Sequence, residues 1–356
     1  MDESVIEDED LPLERKSLIP GRGFFLPDEI QREREDREVQ NRVEGKATIV
    51  ITDSDADGLG SAALIREVHG DAGIIPVGPN TIADGLRRAV EFSSSGAVVY
   101  VCDLCPDRYS SIQNELDDLL DHASEIHWLD HHQWDDALAS EIRSKGVELV
   151  IGDSERECTV DVIIRALDYE FDEQHQELAA VTRDHDLWIK EDARSEDIAD
   201  YAHWAEDRET YVETVRKHGV DLPTDVRDFL EERRVEKQAL IERAIDRAEI
   251  RELGKWRIGI TYGRCSQNEV AEALRREGCD GAAIIKPSGA ISIRGSEDFE
   301  LAHEVAGELG GGGHPKAAGC KPDIYDDMLD YAQHWVTQGA ASRREVIAAF
   351  KAVANR

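Results

Sequence analysis

The sequence is 356 residues long, enough for two domains with real cores. It carries 77 Asp plus Glu against 42 Lys plus Arg, a formal charge of -35, which weighs against a general nucleic-acid coat protein or a binder of anionic membranes. The acids run the length of the chain, a surface chemistry similar to that of proteins adapted to high salt, where the Debye length falls to roughly 3 Å at 1 M.

Cysteines stand at 102, 105, 158, 265, 279 and 320. Cys102 and Cys105 form a CxxC with no second pair to complete a zinc site, so buried, reduced thiols are expected. Met1-Asp2-Glu3-Ser4 is acidic where a signal peptide is basic, and no apolar run approaches the ~20 residues needed to span a bilayer. A cytoplasmic protein that does not enter membranes is the expectation.

Residues 1–45 read as an acidic, partly disordered extension ending in a short exposed helix, with Glu33-Arg34-Glu35-Asp36-Arg37-Glu38 its densest charge. From Lys46 the pattern alternates strand and helix. Strands are expected at 47–52, 73–77, 97–102, 125–129 and 147–151, with helices at 61–69, 81–92 and 110–122. Such alternation predicts an α/β fold with a doubly wound parallel sheet, whose ligands bind beyond the carboxyl ends of the strands.

Three predicted strands end in metal-binding residue types. Ile49-Val50-Ile51-Thr52 runs into Asp53-Ser54-Asp55-Ala56-Asp57-Gly58, Val98–Cys102 into Asp103, and Ile126–Leu129 into Asp130-His131-His132. Carboxylates this close repel one another unless a cation lies between them, so the Asp53–Asp57 cluster reads as half of a metal site. Taken singly, Asp103 suits a turn and the acidic cluster suits a solvated loop. Adjacent histidines on extended chain project oppositely, so one of His131 and His132 is expected as a ligand and the other facing substrate.

In this order, the Asp53-x-Asp55-x-Asp57-Gly58 run, Asp103 and Asp130-His131-His132 resemble the first three motifs of the DHH phosphoesterase superfamily, in the form of its RecJ-like branch. The fourth family motif is one further aspartate, matched by Asp184, with Asp186 the alternative, within Thr182-Arg183-Asp184-His185-Asp186-Leu187-Trp188. The resemblance implies a DHH catalytic domain over residues 46–205. Asp53, Asp55, Asp57, Asp103, His131 and Asp184 would hold two Mn²⁺ ions there, or Mg²⁺ in their place, with Asp103 bridging. His132 would face the substrate phosphate and Asp130 would orient an imidazole. Carboxylate and imidazole donors suit these ions, and two ions about 3.5–4 Å apart can clamp a phosphodiester.

Residues 206–254 show helical spacing in Val226, Phe229, Leu230, Leu240, Ile241, Ala244, Ile245 and Ala248, read as a helical linker. A smaller α/β domain is expected over 255–356. It has strands near 256–261, 282–286 and 290–294, the last two joined by a Pro287-Ser288-Gly289 hairpin turn, and ends in two helices at 324–337 and 342–354. Gly310-Gly311-Gly312-Gly313-His314-Pro315-Lys316-Ala317-Ala318-Gly319 is poor for any regular element and reads as a phosphate-binding loop. It is close to the GGGHxxAAG signature of the DHH-associated C-terminal domain. The resemblance assigns substrate binding to Gly311, Gly312, Gly313, His314, Lys316 and Arg294. Together these imply a manganese-dependent phosphodiesterase, first a RecJ-like exonuclease on single-stranded nucleic acid. The alternatives are a short-oligonucleotide, cyclic-dinucleotide or phosphoadenosine-type phosphoesterase, and an inactive scaffold in replication or repair. Besides substrate, a second copy of the chain or replication and repair proteins are the partners considered.

Overall fold

The structure, a computed structural model, describes residues 28–205, 207–263, 265–324 and 328–354. The expected acidic tail, with Gly21–Phe25, lies outside them. The chain divides into two compact units, Asp28–Glu231 and the chain from Glu232 onward.

The first unit opens with α1 (Asp28–Val43), β1 (Thr48–Thr52), α2 (Ala56–His69), β2 (Gly73–Pro76), α3 (Ile82–Phe92) and β3 (Val98–Cys102). It continues with α4 (Gln113–His122), β4 (Glu125–Asp130), α5 (Asp136–Ser144) and β5 (Glu148–Ile151). Four helices follow: α6 (Thr159–Ala166), α7 (Glu173–Asp186), α8 (Arg194–Trp204) and α9 (Arg208–His218). The sheet order is β2-β1-β3-β4-β5 and every pair is parallel. This is a doubly wound order whose connection reverses between β1 and β3, leaving a crevice at their carboxyl ends.

All five residues of β1 are buried, as expected of a strand covered on both faces. Val50, Leu59, Tyr100, Val160 and Leu178 pack on one side, where α2 and α6–α9 lie. Ile49, Ile51, Leu86, Leu116 and Trp128 pack on the other with α1, α3, α4 and α5. Tyr211 and Val212 of α9 are fully buried in the first of these cores. Residues 207–218, in the stretch expected as a linker, therefore pack within the first unit, because α9 carries an apolar face of its own.

α10 (Thr224–Asp246) contains the point at which the two units divide. The second unit continues with β6 (Glu249–Leu253), β7 (Trp256–Tyr262), α11 (Gln267–Arg276), β8 (Gly281–Ile285), β9 (Ile291–Gly295) and α12 (Ala302–Glu308). It ends with β10 (Gly312–His314), β11 (Ala317–Cys320), α13 (Met328–Val336) and α14 (Ala340–Ala354). Its sheet has the order β10-β11-β9-β8-β7-β6, and only β7 and β8 pair in parallel. β6 lies in the stretch expected to be helical. Its Glu-Ile-Arg-Glu-Leu has a weak local signal, and antiparallel pairing with β7 decides its conformation.

The glycine run is likewise not an open loop: Gly312–His314 forms an edge strand against β11. A Cβ at Gly311 would strike the Gly319 carbonyl oxygen, and one at Gly313 (φ 139) would sit 2.7 Å from the Ala317 oxygen. Two of the four glycines thus let neighbouring backbone approach closely. Gly312 has open space around it.

Candidate metal centre

The apolar run of β1 gives way to polar residues at Asp53, and the chain turns at once into α2. Gly58 makes that turn feasible, since a Cβ there would fall against the Asp53 carbonyl oxygen, and Thr52 Oγ1 donates to the Gly58 carbonyl at 2.7 Å. Asp55 caps α2, its Oδ1 accepting from the N–H groups of Asp57 (3.1 Å) and Gly58 (2.9 Å). Asp57 is 1% exposed and accepts from Thr159 N at 2.7 Å and Val160 N at 3.0 Å. The amino end of α6 therefore holds its carboxylate in place.

Asp103 follows β3 in a left-handed conformation (φ 58), which aspartate tolerates better than most residues. Its carboxylate is buried and accepts from Thr159 Oγ1 at 3.0 Å. At the end of β4, Asp130 is fully buried, engaging His132 Nδ1 at 2.8 Å through one oxygen and accepting from Trp134 Nε1 at 2.7 Å through the other. That pairing fixes the His132 ring, half of which is exposed.

His131 is the centre of the cluster. Its Nε2 lies 3.7 Å from Asp57 Oδ2, 3.6 Å from Asp103 Oδ1 and 3.3 Å from Asp186 Oδ2. These separations are long for hydrogen bonds and suited to donors that share a cation. Its Nδ1 is buried without a partner. Two groups of donor atoms lie within 4.8 Å of one another, Asp57–His131–Asp186 and Asp103–His131–His132. Burial pushes the Asp57 and Asp103 carboxyls well up, and neighbouring carboxylates push them further. Burial raises Asp186 as well, and burial with the Asp55 charge brings Asp53 to about 6. The Asp130 hydrogen bond lifts His132 to about 9. Buried acids crowded around one imidazole, with no ammonium or guanidinium among them, fit a divalent cation bound by oxygen and nitrogen.

No family model matches this sequence, and no curated protein matches it. Solved structures do. The exonuclease RecJ bound to manganese aligns with a TM-score of 0.56 at 15% identity, over 91% of this chain and 94% of that one. RecJ from Thermus thermophilus in complex with Mn²⁺ aligns at 0.53 and 16% identity, over 96% of this chain and 56% of that one. A pGpG-specific phosphodiesterase from Vibrio aligns at 0.49 and 13% identity, over 86% of this chain and 99% of its own. The chain has a RecJ-like fold.

Within the RecJ-like fold the sequence-derived residues separate into three sets. Asp57, Asp103, His131 and His132 are brought together. Asp53 and Asp55 belong to neither donor group: Asp53 is half-buried and accepts from the Ser54 N–H, while Asp55 is the exposed cap of α2. Asp184, the expected ligand, is buried two residues before Asp186 on α7 and lies outside both donor groups; its Oδ1 accepts from Glu191 N at 2.8 Å, whereas Asp186, the alternative, lies 3.3 Å from His131 Nε2. Two residues were not anticipated, Thr159 and Trp134. The Thr159-Val160-Asp161 start of a helix was legible as a cap-like pattern, but nothing in the sequence tied it to Asp57 a hundred residues earlier.

A cavity of about 720 Å³ opens beside the cluster, lined by His131, His132 and Asp186 together with Cys105, Pro106, Asp107, Gln133, Asp135, Leu138, Ser154, Glu155 and Leu187. This lining contains no lysine or arginine.

The second unit of the RecJ-like fold carries its own polar face. Register places His314 opposite Ala317, Ala317 opposite Arg294 and Arg294 opposite Ala282, so His314 and Arg294 share one face of the sheet. Ile293 and Ala318 turn to the opposite, buried face. Arg294 Nε donates to Asn268 Oδ1 at 2.8 Å and Ser292 Oγ to Gln267 Oε1 at 3.3 Å, both acceptors on α11. His314 is exposed, and Lys316 pairs with Glu297.

Proposed function

We propose that this chain is a metal-dependent phosphodiesterase acting on single-stranded nucleic acid, in the manner of a RecJ-like exonuclease. The observation that carries the proposal is the convergence of Asp57, Asp103, Asp186 and His131 at the carboxyl ends of β1, β3 and β4, with two buried carboxylates and one partly exposed one around a single imidazole. Asp57, Asp103, His131 and Asp186 would hold Mn²⁺ or Mg²⁺, with Asp53 and Asp55 at the rim. The bound ions would activate water and offset charge developing at phosphorus.

The protein's own groups supply the remainder. Asp57 and Asp103 are locked by α6, so the donors need little reorganisation to bind. The Asp130 hydrogen bond that raises His132 to about 9 favours its protonated form, and with Nδ1 committed there its Nε2 is left to hold a phosphoryl oxygen or to give a proton to the leaving oxygen. In the second unit, Arg294 and His314 edge a strip of small residues, Gly312, Ala317 and Gly319, over which a sugar–phosphate backbone can lie closely. Lys316 and the exposed backbone of Gly312 and Gly313 add to this anion-binding edge, while the Gly311 N–H is held by the Ala306 carbonyl.

The test is incubation of the whole chain with Mn²⁺ in molar KCl and an end-labelled single strand. Release of mononucleotides supports the exonuclease reading. Cleavage confined to dimers through pentamers would move the substrate to short oligonucleotides. Absence of hydrolysis with Mn²⁺ and with Mg²⁺ on every phosphodiester offered overturns the enzyme reading and leaves a scaffold.

A further inference from the structure

Two residues beyond Asp186, the chain exposes an indole. Trp188 is 68% exposed and Ile189 46%, and the backbone is left-handed at both Trp188 (φ 58) and Lys190 (φ 60). Bulky residues rarely take that conformation unless the surroundings impose it. Here Asp184 imposes it. Its carbonyl accepts from Ile189 N at 2.9 Å and Lys190 N at 3.3 Å, and its carboxylate from Glu191 N at 2.8 Å. Trp188 N itself donates to His185 O at 3.0 Å. Lys190 Nζ stands 3.4 Å from the centroid of the Trp188 ring, and the His185 ring lies 6.2 Å away at 67°. Leu187 and Asp186, directly before the indole, line the cavity beside the metal centre.

A large aromatic ring kept in water by a clamped, left-handed turn gains nothing for the fold, since burial would stabilise it. It is suited to stacking on a flat π-surface, and the ammonium beside it suits a neighbouring phosphate. We propose that Trp188 is a stacking platform for an unpaired base of the substrate, held in position by Asp184, with Lys190 facing the adjoining phosphate. This rests on the phosphodiesterase reading and narrows it. The substrate carries a base within reach of the scissile phosphate, as nucleic acid does and polyphosphate does not. The cavity lining agrees, because it provides no lysine or arginine for a second phosphate.

The experiment uses the full chain carrying Asp103→Ala to prevent turnover, titrated with 5′-phosphorylated decathymidylate and with an abasic decamer of the same charge. Adding Trp188→Ala is expected to weaken decathymidylate binding roughly tenfold, to leave the abasic decamer unchanged, and to be largely reversed by Trp188→Phe. Asp184→Ala should reproduce part of the loss while the indole remains. Equal binding of both decamers with and without the indole overturns the platform. So does loss confined to association with another protein, which would make Trp188 and Ile189 a protein contact. Hydrolysis by the otherwise unaltered chain is assayed separately. Turnover of single strands with unchanged KM in Trp188→Ala removes the platform alone, whereas failure of the unaltered chain to cleave removes the functional reading.

Discussion

At the scale of single residues, the crowded acids of the cluster repel one another as they ionise, and either protons or a bound cation would relieve that repulsion. Folded-state pKa values raised above those of the unfolded chain, about 6 at Asp53 and upward at Asp57, Asp103 and Asp186, mean that the folded protein binds protons more tightly than the unfolded one. In EDTA their contribution to stability is present below the unfolded carboxylate range, near pH 4, and is lost as pH rises through the folded values. Bound Mn²⁺ would relieve the same repulsion, so on the proposed reading its stabilising effect should be large at pH 8 and small at pH 5. Thermal unfolding at both pH values, with and without Mn²⁺, checks this. An equal shift at both would mean that protons and metal do not compete. Asp186→Asn should lower kcat by roughly 100-fold or more and abolish the Mn²⁺-induced rise in Tm, whereas Asp184→Asn keeps that rise. Metal titration by calorimetry distinguishes the two positions. The choice between them was not legible in the sequence, because both stand on α7 two residues apart. Which one meets His131 depends on the helix phase and on the turn that captures Glu191.

At the scale of elements, the strand ends were legible and the paired backbones were not. β1, β3 and β4 are apolar runs that stop at charged residues, so periodicity located the carboxylates at one edge of the sheet. β6 and β10 have no such pattern. One is mostly charged and the other is Gly-Gly-His, and each is a strand only because a neighbour pairs with it. The glycines of this hairpin differ in consequence. Gly313→Val would force a side chain into the Ala317 oxygen at a left-handed φ, costing about 2–4 kcal/mol. Gly312→Val meets nothing within 4 Å in the folded chain, so it should leave Tm nearly unchanged while raising KM if substrate crosses that strip. Differential scanning fluorimetry alongside steady-state kinetics separates these two effects. In the first unit, the Tyr211 hydroxyl is buried without a partner. Tyr211→Phe should therefore be neutral or stabilising in chemical denaturation, and Tyr211→Ala should cost about 3–5 kcal/mol.

At the scale of the whole molecule, the formal charge of -35 spreads over a chain with arginine-centred ion pairs such as Arg66 with Glu209 and Glu213, or Arg194 with Glu177 and Asp192. The pairs neutralise locally and the excess acid does not. Screening should thus raise Tm on going from 0.1 M to 2 M KCl, and single-strand binding should not weaken as steeply as for a basic nuclease. A Tm that falls with KCl would argue against salt adaptation. Among the described residues no helix is long and apolar enough to cross a membrane. Charge balance was legible from composition alone. The boundary within α10 was not, because a continuous helical pattern gives no mark where one core stops and the next begins.

The reversal of strand order between β1 and β3 has an outcome of its own. Connectivity alone opens that crevice, and no side chain in it is needed to keep it open. On the proposed reading, replacing the acids one by one would silence chemistry while sparing the hollow, so variants stripped of catalysis would keep a ready-made receptor. Loss of an enzyme and birth of a binding protein would then be separated by a few carboxylates.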